Sequence, residues 1–153
     1  MVDYRLVRGD ILDQSVDVIV NSWNRNVFPW WLLLPQGVSG AIKRRAGLEP
    51  FREVFRFGPI PLGEARITGA GKLDFEAIIH VAGINLCWFA TEYSVTASVR
   101  NAVQLVNEHE FESVAIPLIG SGSGNRGKAW SRELILRTLD GLESQARVLV
   151  VEF

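Results

Sequence analysis

Two glycine-bearing stretches hold the residue types and spacings that could grip an anion. The first is Asn21-Ser22-Trp23-Asn24, resumed after a Trp- and Leu-rich insertion at Gly37-Val38-Ser39-Gly40. The second is Gly120-Ser121-Gly122-Ser123-Gly124-Asn125. Each follows an apolar run of strand character and leads into a helical pattern. A strand that turns through glycines into a helix aims converging N–H groups and a positive helix end at one place, which is a phosphate-binding geometry. Two such loops suit one ligand with linked phosphates, held from both sides.

These loops need elements to position them. Short segments rich in Val and Ile at 4–8, 17–21, 64–68, 77–81, 113–119 and 147–153 predict strands. The segments 17–21, 77–81, 113–119 and 147–153 are almost wholly apolar, as strands covered on both faces are. Helical patterns occupy 37–46, 91–108 and 128–142. In the second, Val95, Val99, Val103 and Val106 form one apolar stripe, with Thr91 placed to cap its start. Gly47 is placed to end the first. The alternation predicts an α/β fold of three layers, with helices on both sides of a largely parallel sheet. Ligands of such sheets sit beyond the strand carboxyl ends, and both glycine loops leave from there.

At 153 residues and 48% hydrophobic content the chain can build its own core, so one domain over 1–153 is expected. A net charge of −1 offers no basic field for direct nucleic-acid binding. The one cysteine, Cys87, excludes an internal disulfide and fits a reducing compartment. The start, Met1-Val2-Asp3-Tyr4-Arg5, has no apolar signal region, and the longest apolar run, Val27–Leu34, contains Pro29 and is too short to span a membrane. A cytoplasmic protein without membrane contact is expected. Two histidines and one cysteine, widely separated, make no metal cluster, and no metal or cofactor is expected.

Taken in order, Gly9-Asp10-Ile11, Val20-Asn21-x-x-Asn24, Gly37-Val38-x-Gly40-Ala41-Ile42, Gly63-Glu64-Ala65-x-Ile67-Thr68, Ile78-Ile79-His80-Val81, the Pro117–Gly124 loop and Val150-Val151-Glu152-Phe153 resemble the macrodomain family of ADP-ribose-binding modules. Each motif alone is weak; the ordered series spans essentially the whole chain. The resemblance implies a three-layer α/β/α sandwich with a mixed, mostly parallel central sheet. It also implies that ADP-ribose is bound, free or carried on a protein or a nucleic acid. Asp10, with the Ile11 amide nearby, would accept from the adenine amino group, and Phe153 would lie against the base. As a bare sequence feature, Phe153 at a strand end reads equally well as core. Asn24 would contact the distal ribose, with Asn21 beside it and largely structural. Gly37, Val38 and Ser39 on one side, and Gly120, Ser121, Gly122, Ser123, Gly124 and Asn125 on the other, would hold the diphosphate. His80, in an apolar strand, reads as a satisfied core histidine and not as a base.

The chain departs from the family in the first loop. Many hydrolytic macrodomains carry a run of glycines before the Val and an acidic residue after it. Here the stretch is Leu34-Pro35-Gln36-Gly37-Val38-Ser39, with Ser39 at the acidic position. Serine orients a water but is no base at neutral pH without an activator. The catalytic residues implied are therefore Asn24 and Ser39, with the substrate's own phosphate activating the water. The Trp30-Trp31 insertion reads most simply as extra core. The sharper alternative is a wall over the distal ribose, where relatives often place an aromatic at the position held here by Gly124.

Three rival readings stand beside ADP-ribosyl hydrolysis. A reader would bind the same moiety without turning it over. Gly122-x-Gly124-x-x-Gly127 matches a dinucleotide fingerprint, but no later strands complete the sheet that NAD would need. Gly122-x-x-x-x-Gly127-Lys128-Ala129 is one residue from an ATP-binding P-loop, with Ala129 where a hydroxyl would hold magnesium.

Overall fold

The computed structural model describes residues 1–24, 37–56, 58, 60–84, 90–121 and 127–153; at 23, 24, 37–40, 43 and 84 the main chain alone is described. The described strands are β1 (Asp3–Arg8), β2 (Val18–Asn24), β3 (Ala65–Thr68), β4 (Ala77–Ile84), β5 (Ser113–Pro117) and β6 (Arg147–Glu152). The helices are α1 (Gly37–Ala46), α2 (Glu49–Arg56), α3 (Glu92–Glu108) and α4 (Lys128–Asp140), with one 3-10 turn at Ile11–Asp13. All the strands join one sheet in the order β1-β6-β5-β2-β4-β3. Every neighbouring pair is parallel except β3 with β4, which makes the sheet mixed and mostly parallel, as expected.

Alternate residues of the strands feed two separate cores, because successive side chains point to opposite faces. Val18, Val20, Ile79, Val114, Ile116 and Val150 pack against the Val95, Val99 and Val103 stripe of α3 and against Leu134 and Ile135 of α4. On the other face Ile19, Ile78, Ala115 and Val151 meet Ile42 of α1 and Phe51 of α2. Helices thus cover both faces, and the α/β/α layering follows from burial alone.

Several boundaries differ from the sequence pattern for local reasons. β5 stops at Pro117, and the chain then turns at 118–121, where the Ser121 amide and hydroxyl both donate to the Leu118 carbonyl at 3.1 and 2.8 Å. α4 stops at Asp140, with Gly141 at its C-cap. α1 ends at Ala46 and Gly47 follows with φ +85°, a left-handed conformation that favours glycine. α3 opens with Thr91 as its cap, reinforced by Ser94. Helix α2 corresponds to no predicted element: Pro50 reads as a breaker, yet proline is tolerated in a first turn, and Phe51 and Val54 bury one face.

The directions of α1 and α4 matter for the site. The carboxyl ends of β1, β6, β5, β2 and β4 share one rim, because these strands are parallel. At the opposite edge, beyond Thr68 of the antiparallel β3, the Ala46 carbonyl accepts from the Lys72 amide at 2.9 Å. The C-terminus of α1 therefore lies at the amino edge of the sheet, and its N-terminus points to the carboxyl rim. α4 likewise starts at the rim: Lys128 Nζ donates to the Phe153 carbonyl at 2.6 Å and Ser131 Oγ to the Ile119 carbonyl at 2.6 Å.

Candidate functional site

The rim is assembled from the ends of neighbouring strands. β1 and β6 leave it side by side, with the Gly9 amide donating to the Glu152 carbonyl at 3.0 Å. Gly9 has φ +139°, which turns the chain directly into Asp10. Asp10 caps the 3-10 turn, its Oδ1 accepting from the Leu12 amide at 2.9 Å. Among the described residues nothing bonds Oδ2, and the Ile11 amide, first of the turn, has no partner either. An acceptor and a donor thus stand next to each other at the rim, the pair that reads an amino group beside a ring nitrogen. Ile11 itself is buried under them.

Phe153 follows β6 directly, and 86% of it is exposed, so the core reading of this residue is set aside. The start of α4 grips the strand that carries it. Besides the Lys128 bond, Arg132 lies 2.5 Å from one Glu152 carboxylate oxygen, and Arg8 of β1 lies 3.4 Å from the other. The neighbour relation of β1 and β6 puts Phe153 beside Gly9 and Asp10.

The second glycine loop begins at Gly120, which has φ +86°. A Cβ built there would stand 2.5 Å from the Ala90 Cβ and 3.6 Å from the Trp130 ring, so both backbone conformation and space demand glycine. Ser131, buried on α4, holds the Ile119 carbonyl and fixes the loop at its entry. At its exit Gly127 is the N-cap of α4 and supplies no side-chain cap bond. Gly127 thus brings no cap side chain of its own to the rim, and the helix dipole makes that end positive. α3 behaves oppositely: Thr91 Oγ1 accepts from the Ser94 amide at 3.0 Å and Ser94 Oγ from the Thr91 amide at 2.8 Å, which closes its N-terminus on itself. Gly122, Ser123, Gly124 and Asn125 lie outside the described residues.

β2 ends at the same rim with Asn24, and α1 begins there with Gly37, Val38 and Ser39 in helical backbone. The side chains of Asn24, Val38 and Ser39 and the Trp30-Trp31 insertion lie outside what is described. Asn21 is completely buried. Its Nδ2 lies 3.0 Å from His80 Nδ1, while His80 Nε2 lies 2.9 Å from Thr68 Oγ1. The Thr68 hydroxyl donates to the Gly69 carbonyl at 2.9 Å, so it accepts from His80 Nε2–H, and Nδ1 is left to accept from Asn21. The ring is neutral. Burial pushes the His80 pKa down to about 3. That agrees with reading His80 as a satisfied core residue.

Sequence reasoning did not single out Lys128, Ser131 or Ser94 as parts of the rim. Nothing in their local spacing marks them, since each bonds a main-chain carbonyl at least 11 positions away. Among the described residues no three His, Cys, Asp or Glu side chains converge as a metal site would require, and no helix is long and apolar enough to cross a membrane.

The Macro domain family model matches residues 20–134, which is three quarters of the chain and includes most of β2, α1 and the second glycine loop. This chain belongs to the macrodomain family. A macro domain-containing protein of Streptomyces griseus is 42% identical over 77% of this macrodomain and 68% of its own length. A Salmonella typhimurium protein named O-acetyl-ADP-ribose deacetylase is 34% identical over 88% of this chain and 76% of its own. Among solved structures, the Oceanobacillus iheyensis macrodomain with ADP superposes with a TM-score of 0.84 at 28% identity, covering 98% of this chain and 83% of that one. A mutant of it with ADPR gives the same TM-score and identity, with 98% and 84% covered. The macrodomain fold therefore stands on both sequence and structure.

Proposed function

We propose that this macrodomain binds ADP-ribose along the carboxyl rim and hydrolyses the bond between ADP-ribose and a modified acceptor. The observation that carries the reading is the convergence at one rim of an acceptor-donor pair at Asp10 and Ile11, unbonded among the described residues, with the N-terminus of α4, whose N-cap is a glycine. Their chemistry fits an adenine edge at one end and a diphosphate further along. The relatives named O-acetyl-ADP-ribose deacetylase and the related structure with ADPR support the choice of ADP-ribose as the ligand.

In this reading the adenine sits between Asp10 and Phe153, and the diphosphate lies between the α1 start and the Gly120 loop. Asn24 holds the distal ribose. Water, oriented by Ser39 and deprotonated by the substrate phosphate, attacks C1″. The bond from C1″ to the acceptor breaks, the hydroxyl stays on the sugar, and the proton leaves with the acceptor. The acceptor is a protein side chain or a nucleic-acid end carrying a single ADP-ribose. Ser39 in place of an acidic residue favours a second reading, in which the domain binds the same moiety without turning it over.

Isothermal titration with ADP-ribose, NAD and ATP in parallel tests the ligand. Saturable binding of ADP-ribose well ahead of the others is expected. Preference for NAD or ATP, or no binding at all, sinks the assignment. Turnover of a mono-ADP-ribosylated protein then separates enzyme from reader.

A further inference from the structure

The pairing of β2 with β4 runs unbroken from Val18 opposite Ala77 to Trp23 opposite Ala82, and then slips so that Asn24 pairs with Ile84. Gly83 is the residue left over, the extra position of a β-bulge placed just before the end of β2. Its φ is not positive, so this position demands space and not an unusual backbone. A Cβ at Gly83 would stand 2.4 Å from Ile119 Cγ2 and 3.1 Å from Ser22 Oγ. Ile119 is the residue that leads into Gly120, and its carbonyl is the one Ser131 holds. One bulge therefore touches the end of β2 through the register and the second glycine loop through direct packing.

The bulge is also latched. The Gly83 carbonyl accepts from Ser94 Oγ at 2.8 Å, in a fully buried setting. Ser94 is the third residue of α3, and the same hydroxyl accepts from the Thr91 amide in the helix cap. Its proton has the Thr91 carbonyl within 3.0 Å as the alternative acceptor, so the latch and the cap share one oxygen. The start of α3 is thereby tied to the bulge instead of being left open to a ligand.

We propose that Gly83 and Ser94 are positioning residues: the latched bulge sets where Asn24 stands relative to the Gly120 loop. It holds the ribose and phosphate ends of the rim at one spacing. The functional consequence rests on the ADP-ribose reading above; the latch itself does not. Bulges re-aim a neighbouring position or terminate pairing, and this one does its work at the strand end that reaches the rim.

The test compares Ser94→Ala, which removes the latch and one half of the capping box, with Thr91→Ala, which removes the other half of the box and leaves the latch. Ser94→Ala should melt somewhat lower than Thr91→Ala, because it also deprives the buried Gly83 carbonyl of its donor. ADP-ribose should bind Ser94→Ala about tenfold more weakly than Thr91→Ala, as misplacement of holding groups by a fraction of an ångström does. Amide hydrogen exchange at Asn24 and Gly120 should quicken in Ser94→Ala alone. Gly83→Ala should weaken binding about ten- to a hundredfold, with partial recovery in the double variant with Ile119→Leu, which lacks the opposing methyl. Equal exchange in the two α3 variants would overturn the latch whatever the affinities. Faster exchange with equal affinity would overturn the positioning role. Should the wild-type protein bind no ADP-ribose, the proposed function falls and the exchange comparison still decides the latch.

Discussion

Asn21 and His80 are register partners on β2 and β4, and their side chains meet as well, Nδ2 to Nδ1 at 3.0 Å. The strand pair is thus tied once through its backbone and once through buried polar groups, three positions before Asn24. The edge of the Phe51 ring faces the same imidazole at 5.9 Å between centroids, which closes the α2 side against water.

This neutral histidine makes stability depend on acidity. Its pKa is about 3 in the fold against 6.5 when exposed, so the unfolded chain binds the extra proton between those values. Stability from this group is complete above pH 6.5 and is lost as pH falls, by up to about 1.4 kcal/mol per unit. Urea unfolding of wild type and His80→Gln at pH 5 and pH 7 isolates the effect. The wild type should lose more stability on acidification than the variant; equal losses would show that the imidazole is protonated in the fold.

Asp10 has a structural and a binding duty that one substitution separates. Asp10→Ala removes the cap on the 3-10 turn and should cost about 1 kcal/mol in stability. Asp10→Asn keeps a capping oxygen but loses the acceptor-only carboxylate. Its melting temperature should stay near wild type while ADP-ribose affinity falls by about 1.5–3 kcal/mol, the worth of a hydrogen bond to a charged group. Unchanged affinity in titration calorimetry would remove Asp10 from the base-reading role.

Gly120→Ala should be costly twice over. The left-handed φ and the Ala90 contact predict a stability loss of about 1–3 kcal/mol. The displaced loop should also bind ADP-ribose more weakly. A melting curve and a titration on the same sample check both, and a variant as stable as wild type contradicts the crowding at Ala90.

The enzyme reading makes a split prediction at the other loop. Asn24→Ala should abolish most turnover while keeping much of the affinity for ADP-ribose. Ser39→Ala should lower kcat about tenfold with KM nearly unchanged, as loss of water orientation does. Parallel loss of turnover and binding in both would mark the residues as ligand contacts only.

The strands were legible because Val18–Val20, Ile78–Ile79, Val148, Val150 and Val151 are buried, on both faces of the sheet, and doubly covered strands announce themselves as apolar runs. Helix α3 was legible from one valine stripe and its capping threonine. Helix α2 was not, since Pro50 and the charged residues around Phe51 and Val54 gave a short pattern that only tertiary burial resolves. At the candidate site, the ordered motif series pointed to Asp10, Gly120 and Phe153, and the rim they share follows from the parallel strands. Gly83, Ser94 and Ser131 were invisible for a physical reason. Their roles lie in contacts with Ile119, the Gly83 carbonyl and the Ile119 carbonyl, and no local periodicity encodes a contact made across the sheet.

The bare N-cap of α4 has a thermodynamic corollary. Where α3 opens with a side chain that caps it, α4 opens with Gly127, which has none to offer, so in the proposed complex folding and ligation would draw on the same helix start. A bound diphosphate would complete the helix as a capping side chain does, and part of its binding free energy would surface as resistance to unfolding. The native state would then be most robust when the cell holds the ligand in plenty, and the domain's lifetime would itself report on ligand supply.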